Sequence, residues 1–313
     1  MRRAVLNLNL QVLGLQAIPR LAEKLGVSVE FPNHAFIESL RGVEDFRRLL
    51  EDCGRILASF FEESKASWWD VYCNSDIGLE RMAIAEEMRL DKKDTVLDVG
   101  CGRGYFSIAA ARLAKSVVGL DLMNGLGRHG WWGNYRDSIR DLELGDKVLG
   151  VKADARHMPF KQNSFTFAAS VHAIRNFQDY GLIEAAIREM KRVVAKEGSV
   201  VVVESLPVAR NKSQEAHLEM FRCKVKYTFG ELDYLPKEKI VGMFQRVGFN
   251  QIEMEEADYN WSAAPPVFCI EPYLPSIPAS ERENAKSTFE KAATMVKKYG
   301  EASPPALLIR GTK

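Results

Sequence analysis

The stretch Val96-Leu97-Asp98-Val99-Gly100-Cys101-Gly102-Arg103-Gly104-Tyr105-Phe106-Ser107 decides the fold. Val96 to Val99 suits a buried strand, although it carries one acid, Asp98. It runs directly into Gly100, Gly102 and Gly104, after which Phe106 to Leu113 reads as a helix. The unit is a strand, a glycine turn and a helix. A ligand can approach bare backbone closely at such a turn, and the helix beginning near Tyr105 offers N–H groups at the crevice. In open α/β sheets ligands settle outside the carboxyl ends of the strands, beside the point where strand order reverses.

Spacing narrows the ligand. A dinucleotide fingerprint reads G-x-G-x-x-G, with a pyrophosphate at the helix N-terminus. Here the third glycine comes one residue early, and Asp98 sets a negative charge where a phosphate would sit. The site reads as built for a nucleoside bearing a positive charge. Val117-Val118-Gly119-Leu120 is a second short strand ending on Asp121, which lies 21 residues after Gly100, where an acid accepts hydrogen bonds from ribose hydroxyls. Leu149-Gly150-Val151-Lys152-Ala153 is a third strand, followed by Asp154-Ala155. Three acids thus stand at three successive strand ends.

With these residues the chain resembles a class I S-adenosylmethionine-dependent methyltransferase. Asp154-Ala155-Arg156-His157-Met158-Pro159-Phe160 followed by Asn163-Ser164-Phe165 is similar to the D-A-x-x-x-P-F…N-S-F pattern of the ubiquinone and menaquinone biosynthesis C-methyltransferases, and Ala173-Ile174-Arg175-Asn176-Phe177 resembles their G-x-R-N segment. The likeness spans roughly residues 70 to 258; its motifs are specific for the cofactor and not for the acceptor. It implies a cofactor, S-adenosyl-L-methionine, held by Asp98, Gly100, Cys101, Gly102 and Gly104 at the methionine part, by Asp121 and Leu122 at the ribose and adenine, and by Asp154 and Ala155 at the adenine amine.

The remaining strands follow in order. Phe165 to Val171 is a fourth, with His172 at its carboxyl end, where a side chain faces both methyl donor and acceptor. His172 is a candidate general base, because imidazole titrates near neutral pH; the alternatives are a hydrogen-bond partner of the cofactor or a cap on the next turn. Leu182 to Ala195 is a helix, Ser199 to Glu204 a fifth strand, residues 206 to 235 a polar, partly helical excursion, and Gln251 to Glu256 a sixth strand. Pro304 to Gly311 reads as the last strand. About 260–303 is therefore an insertion between the final two strands, with a helix near Ser280 to Lys298. A connection that long is usually functional.

The expected fold is an α/β, seven-stranded Rossmann-like sandwich in two parts: a helical cap or lid over 1–92, and a catalytic domain over 93–313 that carries the lid insertion. Leu10 to Leu25 and Phe36 to Phe61 keep apolar residues at helical spacing, too much apolar surface for a tail. Ser67 to Asp76 is dense in aromatics, and in the resembled family such a segment folds over cofactor and substrate. Trp69 and Tyr72 are therefore expected there, with Tyr72 a candidate catalytic contact; the alternative is that the tryptophans pin the cap to the core. The Gly130-Trp131-Trp132-Gly133 cluster lines the cofactor edge or folds back as a surface loop.

Bulk properties bound the function. A net charge of +1 provides no electrostatic footprint for a polyanion, so nucleic acid is not the expected partner. The five cysteines, at 53, 73, 101, 223 and 269, lack metal or disulfide spacing, so no metal is expected and a reducing cytoplasm is the expected location. Polar residues interrupt the apolar run at Ala4 to Leu15, and no stretch reaches membrane-spanning length. The reading is a methyltransferase acting in line on a small, partly apolar acceptor. A protein or peptide side-chain methyltransferase and a non-catalytic cofactor-binding protein are the alternatives, and an oligomer is compatible with either.

Overall fold

A computed structural model describes residues 77–102, 104–122, 135, 136, 139, 144–177, 179–229, 234–259, 270, 274, 275 and 277–313. Tyr72, the two aromatic clusters at 67–76 and 130–135 apart from Tyr135, and nearly all of the cap at 1–92 lie outside these residues.

Seven strands form one sheet: β1 (Thr95–Val99), β2 (Ser116–Asp121), β3 (Val148–Lys152), β4 (Phe165–Val171), β5 (Val194–Ser205), β6 (Gln251–Ala257) and β7 (Ala306–Thr312), in the order β3-β2-β1-β4-β5-β7-β6. The first five are parallel, and β7 runs antiparallel to both β5 and β6. Sequence order turns back between β1 and β4, so their carboxyl ends open the crevice where ligands bind in such sheets. Among the described residues the α-helices are α1 (Ile77–Glu87), α2 (Tyr105–Ala111), α3 (Tyr180–Val193), α4 (Lys212–Lys224), α5 (Lys237–Val247) and α6 (Arg282–Tyr299).

The helix α3 shows why these residues fold as they do. Asp179 caps it by accepting a hydrogen bond from the Leu182 amide at 3.0 Å. Ile183, Ala186, Ile187, Met190 and Val193 then recur on one face and are fully buried against β4 and β5. The helix ends two residues earlier than its apolar pattern suggests, because Val194 already pairs with Phe165. The partner of Phe167 is Ser199, so residues 195–198 loop out of register, with Glu197 in the left-handed region at φ 64°. Strand β5 consequently begins well before its valine run.

Strand β1 is buried at Val96 to Val99, as expected for a central strand covered on both faces. The edge strand β6 is largely exposed and carries Glu253, Glu255 and Glu256, charges that discourage pairing with another chain. Between β6 and β7 the chain makes the expected excursion, and its helix α6 packs on α4 through Ala216, Met220 and Cys223 against Ala285, Ala292 and Val296. The two excursions thus share a small apolar core of their own beside the sheet. No helix among the described residues is long and apolar enough to cross a membrane.

Candidate active site

The bend after β1 is tied to the neighbouring strand by backbone: the Gly100 and Cys101 amides both donate to the Leu120 carbonyl, at 2.8 and 3.1 Å. Gly100 has φ 75°, and a Cβ there would lie 2.6 Å from the Ala173 Cβ, so the turn after β4 closes on bare backbone. Gly104 has φ 87°, and a Cβ there would lie 2.8 Å from the ring of Tyr135. Only glycine meets both demands at little cost.

Around this bend the three acids occupy different environments. Asp98 is 2% exposed and accepts a hydrogen bond from Ser107 Oγ at 2.6 Å. Burial pushes its carboxyl up to about 7; the Ser107 hydrogen bond works against that rise, and the charge of Asp121 adds to it. Asp121, at the tip of β2, accepts from the Gly102 amide at 2.9 Å. Its carboxylate therefore joins the glycine bend to the second strand. Asp154 stands after β3 and is engaged by its neighbour: the Arg156 amide donates to Oδ1 at 2.8 Å and Arg156 Nε reaches both oxygens at 2.9 Å. These hydrogen bonds hold the Asp154 carboxyl below the usual range.

Other residues at the crevice divide by chemistry. Leu122 is 50% exposed, an apolar side chain left open directly after Asp121. Ala155 and Cys101 are buried, and burial raises the Cys101 thiol well above its ordinary value. An exposed apolar side chain, an acid at the tip of β2 and a buried acid beside the glycine bend are a lining that S-adenosylmethionine, with its positive sulfonium and ammonium groups, would fit. Asp98, Asp121 and Leu122 are the side chains that would hold it, with Gly100, Gly102 and Gly104 as the floor.

His172 follows β4 in the left-handed region, at φ 52°. A non-glycine residue there costs about 1 kcal/mol or more and is concentrated at functional sites. Its Nε2 lies 3.0 Å from Glu80 Oε1 on α1, and its Nδ1 lies 3.3 Å from Ser205 Oγ at the end of β5. Both ring nitrogens are thus engaged by side chains that sequence reading did not single out. Burial pushes the Glu80 carboxyl up, but the opposing charges and hydrogen bonds of His172 and Arg81 prevail and hold it at about 2.

Beyond the ends of β4 and β5 lies a second polar group. Arg175 donates to the buried Glu204 Oε2 at 3.1 Å, and its guanidinium sits over the rings of Phe221, at 5.2 Å, and Tyr234, at 5.5 Å. Those rings stack on each other at 4.2 Å, and Tyr234 Oη lies 3.0 Å from His217 Nε2. Tyr135 was also missed by sequence reading. It is fully buried beneath the glycine bend, where its hydroxyl donates to the Leu149 carbonyl at 3.0 Å. A tyrosine at the edge of a Gly and Trp cluster carried no signal that it packs there.

A methyltransferase domain family matches residues 97–202, which run from β1 through most of β5. The chain is 26% identical over 189 residues to a demethylmenaquinone methyltransferase of Oceanobacillus iheyensis, covering 54% of this chain and 75% of that protein. A protein of the same name from Staphylococcus haemolyticus is 26% identical over 197 residues, covering 56% and 76%. Among solved structures, a cyclopropane-fatty-acyl-phospholipid synthase-like protein from Lactobacillus casei shares the fold with a TM-score of 0.60 and 15% identity, over 83% of this chain and 99% of that one. A candidate methyltransferase from Bacillus halodurans matches with a TM-score of 0.50 and 20% identity, over 76% and 98%.

Proposed function

Because the chain is a class I S-adenosylmethionine-dependent methyltransferase, we propose that it methylates a small, partly apolar acceptor of the reduced-quinone kind by in-line transfer. The observation that carries the reading is the stacked Phe221–Tyr234 pair under Arg175, just beyond the carboxyl ends of β4 and β5. Such a wall suits a flat ring that bears oxygen. The name shared by the Oceanobacillus and Staphylococcus relatives supports the same acceptor class.

When bound, S-adenosylmethionine supplies a methyl carbon already activated by its sulfonium. The chain's own residues therefore have to hold, orient and deprotonate. Asp98 and Asp121 fix the donor at the ends of β1 and β2, and holding two reactants in line is worth up to roughly 7–11 kcal/mol of barrier. His172, at the end of β4, serves as general base, a contribution of about a hundred- to ten-thousand-fold. Tyr72 is assigned to the acceptor side, and Asp154 and Ala155 to the adenine. We assign the protein to the cytoplasm; its described cysteines, Cys101 and Cys223, are buried in the apolar core.

The test is methyl transfer from labelled S-adenosylmethionine to reduced, short-chain demethylmenaquinone, run beside a mixture of cell proteins. Label in the quinone fraction supports the reading. Label found only in protein would replace it with the peptide alternative, and cofactor binding without transfer to either would favour the non-catalytic one.

A further inference from the structure

Two side chains flank the His172 ring: Glu80, on the helix that precedes the sheet, and Ser205, at the last position of β5. They are 92 and 33 residues away from it in sequence. Yet Glu80 Oε1, the two imidazole nitrogens and Ser205 Oγ form one continuous chain with steps of 3.0 and 3.3 Å. Glu80 and Ser205 are each 8% exposed, so the chain runs through the protein rather than through water.

Chemistry orders this chain. Glu80 is paired with the Arg81 guanidinium through its other oxygen, so as a carboxylate it can only accept, and the hydrogen between it and His172 belongs to Nε2. Nδ1 then carries the lone pair and accepts the Ser205 hydroxyl hydrogen. That leaves the lone pairs of Ser205 Oγ as the part of the chain able to take a proton from elsewhere. A base whose own two nitrogens are occupied acts through the hydroxyl it accepts from. His172 makes both contacts from a left-handed backbone, at φ 52°.

We propose that Ser205, His172 and Glu80 form a proton relay, in which Ser205 Oγ meets the acceptor's hydroxyl, His172 stores the proton, and Glu80 is the positioning residue that sets the tautomer. The proposal rests on the methyl-transfer reading above and deepens it. The acceptor O–H bond breaks toward Ser205 Oγ while the serine's own proton passes to Nδ1. The oxygen's electrons then drive the ring carbon onto the methyl, and the breaking S–C bond leaves its pair on sulfur. The ring carbon loses its hydrogen to water, the oxygen regains the stored proton by the same path, and one proton leaves overall.

Two arms test this. Imidazole nitrogen NMR at pH 8 on the full chain should show His172 as the neutral Nε2–H tautomer, and Glu80→Gln should abolish that preference. In the activity arm, with reduced short-chain demethylmenaquinone as probe, Ser205→Ala should lower kcat about a hundredfold with KM and cofactor affinity within about twofold, and Ser205→Thr should restore most of it. An Nδ1–H tautomer in the wild type, or an unchanged kcat in Ser205→Ala, overturns the relay. Should the wild type not methylate that quinone, the acceptor reading fails on its own, and the tautomer arm still decides the relay.

Discussion

Ser107 Oγ, in the first turn of α2, donates to Asp98 Oδ2 across 2.6 Å beneath the glycine bend. This contact does not restore the usual acidity, because burial dominates and leaves the group at about 7. A cationic ligand in the bend requires the ionised form. Below that pH, binding must therefore expel a proton, and affinity for S-adenosylmethionine should rise as pH rises, by up to about tenfold per pH unit, levelling off above pH 7. Calorimetry between pH 5.5 and 8.5 checks this, and Asp98→Asn should flatten the profile as well as weaken binding. The same shift acts on stability with the opposite trend: the folded state favours protonated Asp98, so its contribution is full below 3.8 and is lost as pH rises through about 7.

Gly100→Ala would place a Cβ 2.6 Å from that of Ala173 at a backbone φ of 75°. Neither atom lies at the end of a flexible chain, so backbone has to move. The expected cost is about 1–3 kcal/mol in stability, seen as a lower thermal midpoint. Cofactor affinity should fall by more than tenfold, since the displaced backbone is the floor of the crevice.

Asp121 braces Gly102, and the proposed cofactor site gives it the ribose as well. Asp121→Ala should raise the cofactor Kd by about 10- to 150-fold, the worth of hydrogen bonds to a charged acceptor. Asp121→Asn keeps an oxygen that can accept from Gly102 and should lose less. Equal losses in the two variants would show that charge alone matters.

The Glu80 carboxyl, held at about 2 against an ordinary 4.5, contributes stability that is present above 4.5 and is lost as pH falls through about 2. In acid titration monitored by circular dichroism, Glu80→Gln should be less sensitive to pH than the wild type over that window.

Away from the crevice, Phe244 is fully buried on α5, stacked on Phe249 at 4.9 Å and close against Gly311 of β7. Phe244→Ala should cost about 3–5 kcal/mol by transfer and cavity formation, measured by denaturant unfolding. Cofactor affinity of the folded fraction should be unchanged.

Much of this was legible in the chain itself because the signals are local. The glycine bend, Asp98 and the acid closing β2 are set by spacing within a few dozen residues, and the strand runs around them carry their own apolar pattern. The long excursion between β6 and β7 was legible for the same reason, as a gap between two strand-like segments. The strand start at Val194 was not, because the apolar face of α3 continues without a break into β5 and only pairing with Phe165 ends the helix. Glu80 was hidden more deeply. On α1 it reads as one acid among several, and nothing nearby says that its partner is a histidine 92 residues on. Ser205 likewise closes a valine run as an ordinary polar end. The sheet brings the ends of β4 and β5, and so His172 and Ser205, together, while Glu80 reaches them from α1 outside it.

The central claim is that buried Asp98, Asp121 and the glycine bend between them bind a sulfonium nucleoside. The most direct measurement is isothermal calorimetry of the full chain with S-adenosylmethionine, S-adenosylhomocysteine and NAD, repeated on Asp98→Asn. Saturable binding of both adenosyl compounds, none of NAD, and a marked loss in the variant is the predicted result. Binding of NAD in preference, or S-adenosylmethionine affinity untouched by the loss of the Asp98 charge, would contradict it.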